Sequence, residues 1–75
     1  MANGTKDMQI TYTPQHDLLY IQFDSRRQPI RNERMTDDIV LDIGDEDRIV
    51  GIEILDASKH IRLDSVLPVQ FASVD

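Results

Sequence analysis

Four carboxylate side chains lie close together in the chain and suggest a cation site. They are Asp42, Asp45, Glu46 and Asp47. Calcium takes about six to eight oxygen ligands, and an EF-hand loop arranges its acids around a glycine and closes with a glutamate. Here Gly44 precedes the acids, and no glutamate stands at the closing position. We therefore expect no metal site at this turn, and no other pattern in the chain indicates a cofactor.

The other residues that could take part in catalysis are isolated from one another. The histidines are His16 and His60, and neither has a metal-binding or nucleophile motif around it. Ser58 lies two positions before His60, but positions two apart point to different sides of a helix, so they form no Ser–His pair. The chain has no cysteine, which excludes disulfides, thiolate zinc sites and a cysteine nucleophile. We expect a protein that is not an enzyme.

The elements that position these residues must form one small domain. At 75 residues, the chain buries about 60% of the surface that its unfolded form exposes, so its core is marginal. Without disulfides or a structural metal, oligomerisation is the remaining support. The net charge of −6 argues against direct nucleic-acid binding, which needs a basic face. No apolar run is long enough to cross a membrane, and we expect an acidic, cytoplasmic protein.

Apolar and polar residues alternate along most of the chain, which predicts strands rather than long helices. The first strand is predicted from Met8 to Thr13 and the second from Leu18 to Phe23, with a turn over residues 14–17. A four-residue turn sets a register in which the apolar residues of one face meet one another. The predicted pairs are Thr13 with Leu18, Tyr12 with Leu19, Ile10 with Ile21, and Met8 with Phe23.

A weaker strand is predicted from Pro29 to Met35. Its proline and its many charges are typical of the edge of a sheet, where they discourage pairing with foreign strands. A second hairpin follows over residues 39–54. We predict a two-residue turn at Glu46 and Asp47, which pairs Ile43 with Val50, Leu41 with Ile52, and Ile39 with Ile54. The alternative, a three-residue turn, implies a simple register that points Glu53 inward.

After the second hairpin, the segment DASKHI predicts one helical turn, with Asp56 accepting a hydrogen bond at its start. Such a helix must pack on the sheet to be stable. Residues 1–7 are expected to form a flexible tail, residues 8–63 a single β-rich domain, and residues 64–75 an apolar extension that packs back or lies at a subunit interface. Candidate oligomer contacts are Tyr20, Val66, Leu67, Val69 and Phe71.

Charge is segregated along the chain. Residues 24–35 carry a net charge of +2, and residues 36–56 carry −7. Nearly all the net charge thus belongs to the second hairpin and its turns. The acids could recruit a basic partner through complementary potential, or they could be ordinary solvated turn residues. A third interpretation is self-association, with the arginine-rich edge of one subunit facing the acidic hairpin of another.

Gly51 is the one glycine inside a predicted strand. A glycine there marks a bulge or the close approach of another group. In the predicted register it faces Asp42, which leaves a hollow on the outer surface. Packing within the chain or the side chain of a partner would fill this hollow.

Two blocks of the sequence resemble the signature of a known family. They read ITYTPQHDLLYIQF over residues 10–23 and IVLDIGDEDRIVGIEILDAS over residues 39–58, and they are similar to the bacterial domain-of-unknown-function 2283 family. The matching positions are Tyr12, Pro14, Asp17, Leu19, Tyr20, Ile21, Leu41, Asp42, Gly51, Glu53 and Asp56. Leu18 stands where alanine is usual, and Asp47 stands where the turn glycine is usual. Asp47 is therefore expected to adopt a left-handed conformation with some strain.

Together, the patterns and the resemblance predict a mostly β (α+β) fold, a small antiparallel β-meander of about five strands with a short C-terminal helix. The resemblance implies no established activity. Family members often lie beside a small toxin-like protein, which suggests an antitoxin-type role, and such toxins are usually basic. The first hypothesis is a non-enzymatic, homo-oligomeric interaction module. The second is an acidic partner of a basic protein, through Asp42, Asp45, Glu46, Asp47, Gly51 and Glu53.

Overall fold

The computed structural model describes residues 8–67, which form one five-stranded sheet followed by two short helices. The elements are β1 (Gln9–Thr13), β2 (Leu18–Gln22), β3 (Arg31–Arg34), β4 (Ile39–Ile43), β5 (Ile49–Ile54), α1 (Ala57–His60) and α2 (Leu63–Val66). The predicted fold class is confirmed, and a second helix joins the predicted one. The expectations for residues 1–7, Val69 and Phe71 lie outside the described residues.

The sheet is antiparallel throughout, but its order is not that of a simple meander. The spatial order is β1-β2-β5-β4-β3, so β5 lies between the two halves of the sheet. The segment between β2 and β3 crosses the end of β5, where the amide N–H groups of Phe23 and Asp24 donate to the Val50 carbonyl at 2.8 and 3.3 Å. The side-chain Oε1 of Gln28 accepts from the Asp45 amide at 2.8 Å. These bonds hold the crossing segment against the β4–β5 turn.

The predicted register of the first hairpin is confirmed. Thr13 pairs with Leu18, Tyr12 with Leu19, and Ile10 with Ile21. The ladder begins at Gln9 and Gln22, so the predicted pairing of Met8 with Phe23 lies beyond its end. A one-residue slip would have exchanged the apolar and polar faces, and the burial of one face selects the observed register.

The predicted register of the second hairpin is confirmed along most of its length but is wrong near the turn. Leu41 pairs with Ile52 and Ile39 with Ile54, as predicted, but Ile43 pairs with Ile49 rather than Val50. The turn has three residues, Asp45–Asp47, and the Gly44 amide donates to the Arg48 carbonyl across it at 2.8 Å. A β-bulge then inserts one residue into β5 and restores the predicted register. The rejected three-residue turn is therefore correct, and the bulge keeps Glu53 off the inner face.

Strand alternation gives the sheet an inner face that is apolar. Its buried residues are the cluster of Leu19, Ile54 and Ala57, the last from α1, and, near the β4–β5 turn, Ile43 and Val50. Partly buried side chains pack around this cluster, namely Ile10, Tyr12, Ile52, Ile61 and Leu63. We call the opposite side, which carries Tyr20, Asp42, Gly51 and Glu53, the outer face. The structure thus confirms Tyr12 in the core and Tyr20 on the opposite face.

The two edges of the sheet differ in chemistry. At one edge lies β3, with the sequence RNER and every residue exposed. This confirms the predicted edge strand and its charged protection. At the other edge lies β1, with the sequence QITYT, which carries neither a charge nor a proline.

Candidate functional site

A polar cluster lies on the outer face around a buried carboxylate. Asp42, on β4, is only 7% exposed. The Tyr20 hydroxyl donates to its Oδ2 at 3.0 Å, and the Asn32 side-chain amide donates to its Oδ1 at 2.5 Å. Asp42 is therefore held from both sides, by β2 across the central strand and by the edge strand β3. Buried carboxylates need such partners, because an unpaired charge away from water is costly.

Gly51 makes the bond between Tyr20 and Asp42 possible. It lies opposite Asp42 and Gln22 on the central strand, and the Tyr20 ring lies over it. A Cβ at Gly51 would overlap the phenol oxygen and lie 2.7 Å from Cζ of Tyr20. The hollow predicted beside Asp42 is filled from within the chain, so Gly51 serves packing here.

Glu53 brings a second carboxyl to the same cluster. Burial, reinforced by the adjacent Asp42 carboxyl, raises the pKa of Glu53 above its ordinary value of 4.5, and Arg34 opposes the rise. Burial and the bond to Asp42 also raise the pKa of Tyr20 to about 12. The cluster thus favours the protonated forms of Glu53 and Tyr20.

A second polar cluster ties α1 to the first hairpin. Asp17, in the β1–β2 turn, accepts from the Tyr12 hydroxyl at 2.8 Å, from the Ser58 hydroxyl at 2.6 Å and from the Ser58 amide at 3.1 Å. The Asp17 backbone carbonyl accepts from the Ala57 amide at 2.9 Å. The hydrogen bonds from Ser58 and Tyr12 lower the pKa of Asp17 below its ordinary 3.8.

The predicted cap of α1 is therefore wrong. Asp56 stands at the cap position with φ 51° and makes no side-chain capping bond. Asp17, 41 positions before Ser58 in the chain, accepts these hydrogen bonds instead. The other end of the helix is tied by His60, whose Nε2 lies 2.8 Å from Oδ2 of Asp38. His60 is an exposed residue, but it is paired rather than isolated.

The acidic turn forms a third site, separate from Asp42 and Glu53. Its three residues are exposed, and both Glu46 and Asp47 adopt left-handed backbone conformations, with φ 60° and 58°. Asp47 accepts from Arg31 at 2.9 Å, and Glu46 lies 3.2 Å from Arg48. The arginine-rich edge therefore meets the acidic hairpin within one chain. The left-handed conformation expected at Asp47 is confirmed and extends to Glu46.

A shallow depression of about 490 Å³ lies between this turn and the start of β3. Its lining combines Pro29, Ile30 and Ile43 with the backbone and side chains of the acidic turn. Within residues 8–67, no three histidine, aspartate or glutamate side chains converge closely enough to hold a metal ion. None of the helices in that range is long and apolar enough to cross a membrane.

The inner face is not covered along its whole length. The helices lie over the end that carries Leu19 and Ile54. At the other end, Met8, Phe23 and Ile49 are 50%, 43% and 46% exposed. Met8 and Phe23 continue the apolar alternation of β1 and β2, and Ile49 lies opposite Ile43 beside the β-bulge. We call these three residues the open strip. Val66 and Leu67, predicted oligomer contacts, are half-buried at the end of α2.

The residues predicted to contact a partner belong to two separate sites. The six predicted partner-binding residues separate into the outer cluster (Asp42, Gly51, Glu53) and the acidic turn (Asp45, Glu46, Asp47). Asn32 was missed, although its position opposite Asp42 follows once the edge strand is paired with β4. The role of Asp17 had no local signal, because its partners on α1 are distant in sequence.

The fold and these clusters define a class, a small single-sheet antiparallel β protein with two C-terminal helical turns. The profile of the family described as "Protein of unknown function (DUF2283)" matches residues 9–58, which is two thirds of the chain. The chain belongs to this family, as the two sequence blocks indicated. No curated protein and no solved structure matches it.

Proposed function

We propose that this protein is a non-enzymatic, homo-oligomeric interaction module that works in the cytoplasm. The observation that carries the proposal is the open strip. Three large apolar side chains are close to half exposed, and two of them, Met8 and Phe23, continue the alternation of the face that forms the core. The Cα atoms extend only 16 Å in the thinnest direction, and within residues 8–67 one layer of helices and one sheet supply the burial. A second subunit would remove apolar surface from water and add to a marginal core.

The polar clusters support a structural rather than a catalytic role. Asp42 accepts hydrogen bonds from Tyr20 and Asn32, and Asp17 accepts hydrogen bonds from Tyr12 and Ser58. Each carboxylate is used to join elements of the fold. A catalytic carboxylate would need an open position for a substrate, and these two are occupied by their own chain.

The test of this proposal is the mass of the full chain in solution. Light scattering and sedimentation velocity across a wide dilution series should give a dimer or larger species that dissociates on dilution. The monomer mass at every concentration would contradict the proposal. Added salt should not dissociate the oligomer strongly, because apolar burial is the main contribution.

The alternative function is that of an acidic, antitoxin-like partner for a basic protein encoded nearby. The acidic turn favours it, because Asp45, Glu46 and Asp47 are all exposed at one end of the sheet. The ion pairs with Arg31 and Arg48 weigh against it, since they neutralise part of this charge within the chain. The outer cluster adds little presented charge, because Asp42 is buried.

Co-purification with the neighbouring gene product tests the alternative. Affinity for a basic partner should fall as salt rises, because exposed charges are screened. The combined change Asp45→Asn, Glu46→Gln and Asp47→Asn should weaken binding. Asp64→Asn removes an exposed acid elsewhere and serves as the control. Equal binding by both variants would exclude the acidic turn as the contact.

A further inference from the structure

We infer that two copies of this chain pair through the outer edge of β1 and form one continuous antiparallel sheet. The inference rests on the proposed function, because it names the surface through which a homo-oligomer is built. Its starting point is the contrast between the two edges. An edge strand presents unpaired backbone N–H and C=O groups, and proteins usually protect it with charges, proline or a bulge.

β3 has this protection and β1 lacks it. Arg31, Glu33 and Arg34 are exposed on β3, and Pro29 precedes the strand. The β1 strand, QITYT, has β-prone residues and no charge. The only strand paired with β1 within residues 8–67 is β2. The outer edge of β1 is therefore a suitable surface for strand addition.

The sequence of β1 is complementary to itself. In an antiparallel pair centred on Thr11, the two copies of Thr11 face each other, and Ile10 of each copy faces Tyr12 of the other. Gln9 then faces Thr13. Ile10 and Tyr12 belong to the inner face, so the apolar face continues across the junction. Aromatic side chains opposite β-branched ones are favourable cross-strand pairs.

The same pairing places complementary ends together. Antiparallel strands run in opposite directions, so the helix-covered end of one copy lies beside the open strip of the other. Met8, half exposed in one copy, then lies opposite Pro14 of the second copy. The pairing therefore covers part of the open strip as well as the strand edge.

The distribution of charge favours a second copy at this edge. Between Met8 and Phe23 the only charged residue, with histidine neutral, is Asp17, whereas residues 36–56 carry −7. Pairing through β1 keeps the two acidic hairpins on the outer parts of the dimer. A contact through the acidic turn would bring like charges together and would be opposed by their repulsion.

Charge substitutions at Thr11 test the inference in the full chain. Thr11 is exposed and lies at the centre of the proposed pair. Thr11→Lys and Thr11→Glu each place like charges directly opposite each other, and each should weaken dimerisation about fivefold in sedimentation velocity. An equimolar mixture of the two variants should recover the affinity, because opposite charges then meet. Gln15→Lys adds the same charge in the adjacent turn, outside the ladder, and should leave the affinity unchanged.

Hydrogen exchange of the full chain supplies a second readout. Protection of outward amides of β1 should increase with protein concentration, while that of β3 should not change. Protection of β1 that is independent of concentration would show that another segment of the same chain covers the edge and would overturn the inference. Dimerisation unchanged by both Thr11 variants, with no gain in their mixture, would overturn the β1 interface alone. A monomer at every concentration would overturn the proposed function as well.

Discussion

Two tyrosine–aspartate hydrogen bonds lie on opposite faces of the first hairpin. The two differ widely in the sequence separation of the residues that they join. Tyr12 bonds to Asp17, five positions away, in a cluster that holds α1. Tyr20 bonds to Asp42, 22 positions away, across the central strand. The Asp17 carboxylate also accepts hydrogen bonds from α1, whereas the Asp42 carboxylate is buried among strands. The same chemical pair thus serves local anchoring on one face and long-range joining on the other.

The difference has a consequence for energy. Asp17 keeps its bonds from Ser58 if Tyr12 is lost. Asp42 is buried, and the Asn32 side-chain amide also donates to it. Loss of a donor is costly when the acceptor is buried and has few substitutes. We therefore expect the long-range pair to contribute more stability than the local pair.

Gly51→Ala should break the long-range pair with the largest effect. The new Cβ would overlap the Tyr20 ring, so the ring must move and its bond to Asp42 is lost. Overpacking and loss of the bond together should lower the free energy of unfolding by about 3 kcal/mol. Urea denaturation measures this change.

The control for Gly51→Ala is the same substitution in a Tyr20→Ala background. With the ring absent, the added methyl has space, and the second change should be nearly neutral. Such non-additivity is the sign of a direct contact. Equal costs in both backgrounds would show that Gly51 is needed for its backbone rather than for the ring.

Tyr20→Phe and Tyr12→Phe compare the two bonds directly. Tyr20→Phe leaves the buried Asp42 with one donor fewer and should cost about 2 kcal/mol. Tyr12→Phe should cost clearly less, because Asp17 retains both bonds from Ser58. Chemical denaturation of the two variants under the same conditions gives the order. The reverse order would contradict the expectation that the hydrogen bond to the buried Asp42 contributes more stability than the one to Asp17.

Asp17→Asn and Asp56→Asn sharpen the local side of the comparison. Both residues have left-handed backbone conformations, with φ 50° and 51°, and asparagine tolerates this region. Of these two side chains, only that of Asp17 bonds to α1, so its substitution should destabilise the protein more. Ser58→Ala should lower the free energy of unfolding by about 0.5 kcal/mol, because the hydrogen bond from the backbone amide of residue 58 to Asp17 remains. If Asp56→Asn were the more damaging, the cap would belong to Asp56 after all.

The two faces should respond to pH in opposite directions. Native Asp17 has a lowered pKa, so its stabilisation is present above its ordinary 3.8 and is lost as the pH falls through the lowered native value. Native Glu53 has a raised pKa, so it lowers the free energy of unfolding as the pH rises above its ordinary 4.5.

Denaturation as a function of pH, on the wild type and on Asp17→Asn and Glu53→Gln, measures these small contributions. Asp17→Asn should flatten the acid side of the stability curve, and Glu53→Gln should flatten the fall at higher pH. If either variant kept the pH dependence of the wild type, the substituted residue would not contribute to the pH dependence of stability.

The sequence predicts the positions of both tyrosines and most of the register, because these depend on local alternation of apolar and polar residues. Alternation in ITYT and LLYI placed Tyr12 and Tyr20 on opposite faces, and burial of one face fixed the register. The turn at Asp45–Asp47 was mispredicted because a bulge at Val50 compensates for the extra residue, and two compensating irregularities leave the outer register unchanged. The cap by Asp17 depends on how the helix folds back onto the hairpin, which no local spacing reveals.

The central position of β5 has a consequence for how the protein is made. The strand that joins the β1–β2 hairpin to β3 and β4 comes last of the five in the chain. While a ribosome is still producing residues 49–54, the two halves of the sheet have no shared strand and cannot dock in register. The β1–β2 hairpin therefore keeps its apolar face exposed until β5 is made. Completion of the sheet depends on non-local pairing, which is slow. The sheet can close only once β5 is free to pair with both β2 and β4.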